Sequence, residues 1–190
     1  MRHHLREATR PAHEATEAAF AAFDPGRRDH YTRFLLAHAS VVLPLEAALG
    51  PAFDAHVDGW RRSSPVADLR ADLGDLGEPT PPALPIPSFD VAAAAGALYV
   101  VEGSRLGAAV LRREVAVKQP EAPLRYLSAA SGRIAWPDVV DALEIAAGRW
   151  DEGVILDGAL RTFALFRAAA EVWRPLNLPQ GPGAGRREDE

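Results

Sequence analysis

The sequence predicts an all-α protein. Alanine and leucine dominate it, apolar residues recur at helical rather than alternating spacing over long segments, and the helix breakers gather in a few clusters. The length of 190 residues suits one domain with a sizeable core, and 48% hydrophobic against 25% charged residues excludes a disordered chain.

A first helix is expected over about 2–22, stopping at "DPG", residues 24–26. A second covers about 27–49, with a bend at Pro44, and shorter pieces follow near 51–58 and 65–73. Residues 77–88, "GEPTPPALPIPS", hold five prolines and read as an irregular connection. A long helix is expected over about 89–118, ended by Pro120 and Pro123, and "PLRYLSAAS" suggests a short one. "WPDVVDALEIAAGRW" places Pro137 and Asp138 in a first helical turn, where both are favourable. A last helix covers about 151–173, stopped by Pro175 and Pro179. This gives a single helical domain over 1–178 and a disordered tail over 179–190.

Composition removes several function classes. With no cysteine, the chain has no disulfide, thiolate nucleophile or cysteine-bound metal. A net charge of -5, with both signs interspersed, argues against nucleic acid as a partner. The charged start "MRHHLREATR" leads into no signal-type apolar core, and the longest apolar run, 91–101, is about half of a membrane span. A cytoplasmic protein without a membrane partner is expected. Ser104 lacks the flanking glycines of a nucleophile elbow, and the missing Glu-x-x-His pair counts against a di-iron bundle.

Two segments carry chemistry. In "YVVEGSRLGAAVLRRE", residues 99–114, Gly103 and Gly107 interrupt a helix at a cost of roughly 0.5–1 kcal/mol each relative to Ala. Their spacing suits either close helix–helix packing or a flat ligand lying against the backbone. In "LREATRPAHEATEAAF", Arg6, Arg10, His13 and Glu17 form one stripe if the helix runs through Pro11. The stripe is either a solvated face with i,i+4 pairs, or a set suited to haem: an imidazole for iron, cations for propionates and a carboxylate to orient the ring.

Together, "LREATRPAH" with Glu17 and "GALYVVEGSRLGAAVL" resemble the haem oxygenase family, in the form of its bacterial subgroup. Members of that subgroup serve iron acquisition or supply bilin to bacteriophytochromes. The resemblance spans about residues 1–175 and implies a haem oxygenase-like helical bundle. It implies a monooxygenase that cleaves haem, its substrate and cofactor, to biliverdin with release of carbon monoxide and ferrous iron. Dioxygen, a ferredoxin- or reductase-type electron donor and a bilin-accepting protein are the implied partners.

Residue by residue, the resemblance makes His13 the iron ligand and sets Arg6 and Arg10 near the haem edge. Gly103 and Gly107 match the distal glycines. Many relatives carry an aspartate one residue after the first glycine, where this chain has Ser104. His38 is the candidate for the distal polar network, or else a histidine on a packed apolar face. Tyr99 either meets the haem edge or belongs to the core, and Arg161 and Arg167 either reach propionates or are solvated. A non-catalytic haem carrier or sensor on the same fold is the alternative.

Overall fold

A computed structural model describes residues 1–58, 60, 64–128 and 135–175. The expected tail, 179–190, lies outside the described residues. Among these there are seven helices: α1 (Arg2–Phe20), α2 (Arg28–His56), α3 (Val66–Asp75), α4 (Val91–Lys118), α5 (Arg125–Ser128), α6 (Trp136–Ala147) and α7 (Glu152–Val172).

The helix ends follow the local chemistry. Asp90 accepts from Ala93 N–H at the start of α4, and Asp151 accepts from Gly153 and Val154 N–H at the start of α7. Gly77, at φ 78°, closes α3, and Glu78 N–H returns to Leu73 C=O at 2.9 Å. The short α5 starts on the buried Asp72 of α3, whose carboxylate accepts from the N–H groups of Arg125 and Tyr126.

α2 departs from the expectation of two pieces, since it runs unbroken through Pro51. Leu49, Gly50 and Phe53 continue one buried face across the predicted break, so packing holds the helix there. Pro44 has a different compensation. It offers no N–H to Ser40 C=O four residues back, and that carbonyl instead accepts Leu84 N–H at 2.9 Å. The proline-rich connection is thereby tied to α2.

α4 packs most extensively on α7. The crossing depends on glycine. A Cβ on Gly96 would lie 1.9 Å from Ile155 C=O, and one on Gly158 would lie 2.0 Å from Ala93 C=O. Both backbones occupy space that any side chain would need. By length and composition, α2 and α4 are apolar enough to cross a membrane, but the most apolar windows are 67% and 50% buried within the bundle. Their apolar residues, Leu35, Val41, Leu45 and Leu98 among them, form its core.

Candidate functional site

α1 runs unbroken through Pro11, so Arg6, Arg10, His13 and Glu17 share one regular face. Its first turn is held by Glu144 of α6, which accepts Arg2 N–H at 3.1 Å, and by the burial of Leu5 and Thr9. His13 packs the edge of its ring against Phe163 of α7, with centroids 5.8 Å apart and planes at 87°. Its side chain remains 56% exposed, and Nδ1 lies 3.6 Å from Glu17 Oε2. With Nδ1 on the carboxylate side, Nε2 is the nitrogen away from Glu17, and among the described residues nothing hydrogen-bonds it.

Tyr99 of α4 lies near the start of α1. Burial raises its pKa, and the charges of Arg6 and Arg2 oppose that less strongly. Tyr99 precedes Gly103 by one turn. The nearness of Tyr99 to Arg6 and Arg2 brings the start of the α1 stripe and the turn before Gly103 to the same end of the bundle. α1 packs along α7 rather than along α4.

The glycines of α4 divide into two kinds. Gly96 is filled by the backbone of α7, whereas a Cβ on Gly107 would meet no described residue within 4 Å. One on Gly103 would meet the ring of Trp136, at 3.6 Å, in ordinary contact. Among the described residues, no helix backbone comes within 4 Å of either position, and a side chain of α6 lies against Gly103. Ser104 donates its hydroxyl hydrogen to Val101 C=O at 2.8 Å, leaving its lone pairs as acceptors.

His38 sits among Phe20, Phe34, Tyr126 and Phe166, with Nδ1 2.8 Å from the Tyr126 hydroxyl. Burial lowers its pKa to about 3, so the ring is neutral at ordinary pH. Arg161 is already engaged by Asp157 at 2.7 Å and Ser88 C=O at 2.7 Å, with its guanidinium over Phe89. It anchors the end of the proline-rich connection to α7. Arg167 is half-buried, and Arg10 is exposed.

Sequence reasoning did not single out Phe163, Trp136 or Trp60. Trp60 donates its indole N–H to Glu102 Oε1 at 2.7 Å, and Glu102 also binds Arg105. The one available signal was the charged pair Glu102 and Arg105, flanking Gly103 within an otherwise apolar run. Phe163 and Trp136 lie far along the chain from the helices they contact, and no local pattern announces such partners.

Comparison with known proteins gives likenesses in sequence and in structure. No family model matches the chain. It is 38% identical over 93 residues to a haem oxygenase of Xanthomonas campestris pv. campestris (strain 8004), a match spanning 48% of this chain. The match spans 56% of that relative's length, so it covers about half of each protein. The structure superposes on that of the NO- and CO-bound haem oxygenase from Neisseria meningitidis with a TM-score of 0.72, covering 96% of each chain at 21% identity. The chain thus has the all-α fold of the haem oxygenases and resembles their bacterial members in sequence.

Proposed function

We propose that the chain binds haem between α1 and the glycine strip of α4, and cleaves it oxidatively to biliverdin, carbon monoxide and ferrous iron. The observation that carries this reading is the division of the glycines. Gly96 and Gly158 serve helix packing, while among the described residues Gly103 meets only the Trp136 ring of α6 and Gly107 meets nothing, so no helix backbone closes on that strip of α4. A flat, rigid ligand uses such a strip; a helix interface does not leave it open.

The residues present fit the group. His13 offers an imidazole through Nε2, with Glu17 beside Nδ1 to orient the ring. Phe163 holds the ring edge, and Arg6 and Arg10 on the same face supply cations for propionates. Haem itself supplies the redox chemistry, using external electrons and dioxygen. The chain binds and orients it, and on α4 it leaves room beside bare backbone. Ser104 is the polar group on that strip, with acceptor lone pairs available. His38, held neutral beside Tyr126, stays available as an uncharged hydrogen-bonding group rather than a cation. Tyr99 sits between this strip and the charges of Arg6 and Arg2. Arg167, half-buried on α7, is a further candidate for a propionate, whereas Arg161 must first leave Asp157.

The reading places one domain over 1–178 in the cytoplasm, with a ferredoxin- or reductase-type electron donor and a bilin-accepting protein as partners. Ser104 in the position where many relatives carry an aspartate favours a second reading, a haem carrier or sensor. One assay separates them. Haem added to the purified chain with a reductant and oxygen is expected to lose its Soret band as bilin absorption and carbon monoxide appear. Stable haem binding without bilin would support the carrier; no haem uptake would contradict both.

A further inference from the structure

Glu102 and Arg105 form an ion pair at 2.9 Å on α4, with side chains only 5% and 9% exposed. A buried pair of this kind is seldom more stabilising than apolar residues of the same volume, because desolvation offsets the attraction. The preceding turns of α4 are built almost wholly of Ala, Val and Leu, so another apolar turn was available. Stability therefore does not explain the pair.

Its position does. Both Glu102 oxygens are engaged: Oε1 accepts from Trp60 Nε1 and Arg105 Nη1, and Oε2 accepts from Arg105 Nη1. Trp60 is itself fixed, edge-on to Phe53 of α2 with ring centroids 4.6 Å apart. The cluster thus fastens α4 to the connection after α2 at residues 102–105. Immediately beyond, packing by the described residues thins, resting on the half-buried Ala108 and Leu111 until Arg112 meets Ser128 of α5. Leu106 and Val110 are 55% and 70% exposed, and Gly107 has open space beside it. A helix segment carrying two glycines and little packing bends readily unless its root is held.

We infer that the Trp60–Glu102–Arg105 cluster is a positioning device for the glycine strip. It fixes the root of the exposed half of α4, so that Gly103, Ser104 and Gly107 keep one arrangement toward a rigid, plate-like ligand. Ordering the strip in advance removes that ordering from the binding step. The inference rests on the proposed haem site, but its first arm needs no ligand.

The test uses Glu102→Gln, which keeps shape and loses charge, and Trp60→Phe, which keeps an aromatic ring and loses the N–H. Amide hydrogen exchange is followed along α4 in the ligand-free chain, and haem is then titrated. The expected result is faster exchange over 103–110 with 92–98 unchanged, and haem binding weakened roughly tenfold or more, as for other groups that orient a ligand's contacts. Unchanged exchange, exchange raised uniformly along α4, or local loosening with wild-type haem affinity would each overturn the inference. If Glu102→Gln fails to fold, Trp60→Phe carries the same comparison. A wild-type chain that takes up no haem contradicts the functional reading instead, and the exchange arm still decides whether the cluster orders the strip.

Discussion

At the residue scale, two histidines show what environment does to one side chain. His38 is enclosed by aromatic rings, and its pKa falls from 6.5 to about 3 because burial disfavours the cation. The unfolded chain therefore binds an extra proton here between those values. The contribution to stability is complete above pH 6.5 and is lost progressively as pH falls toward about 3. His38→Phe should flatten this acid limb of melting temperature against pH, even though losing the Tyr126 hydrogen bond lowers stability at neutral pH. An acid limb as steep as in the wild type would contradict the burial account. His13 is the opposite case, half in solvent against Phe163. His13→Ala should leave the ligand-free melt nearly unchanged, by about 0.5 kcal/mol or less, as for most surface positions. It should change the haem absorption spectrum and abolish most turnover, and an unchanged spectrum would remove His13 as ligand. The stripe from Arg6 to Glu17 was legible because helical spacing is a local property. The enclosure of His38 was not, because its walls come from four separate segments.

At the scale of elements, the helix ends were mostly readable, since prolines, Asp90, Asp151 and Gly77 act on their immediate neighbours. α2 was misread as two pieces because Gly50–Pro51 is a strong local breaker, while the buried face that overrides it is a tertiary effect. The same limit hid the glycines that pack. Gly96 lies in an alanine run and Gly158 is 62 positions away, and nothing in either segment names the other. Gly96→Ala should force the α4–α7 crossing apart, at a cost of roughly 1–3 kcal/mol or more. That corresponds to a melting temperature lower by about 2–4 °C per kcal/mol for a chain of this size. Gly158→Ala should act alike, and the double variant should lose less than the sum, since both relieve one contact. A thermal melt of Gly96→Ala at the wild-type temperature would show that the crossing is not as close as described.

For the whole molecule, the all-α class and the order of its two motif helices were visible in the sequence, because periodicity and breakers recur throughout. Spacing alone left open whether Gly103 and Gly107 meet a helix or a ligand. In the assembled bundle one glycine pair closes the α4–α7 seam, while among the described residues no helix backbone closes on the other. The central claim is that this strip is kept bare for haem. It is tested most directly by melting wild type and Gly107→Leu with and without haem. Binding to the folded state alone stabilises by about 2.7 kcal/mol at a free ligand concentration of 100 Kd, so wild type should melt higher with haem. Ligand-free Gly107→Leu should melt at or slightly above wild type, because Leu gains up to about 1 kcal/mol as a helix former and meets open space. Its haem-induced rise should largely disappear. A variant that melts lower than wild type in both states, while keeping the full haem-induced rise, would contradict the claim.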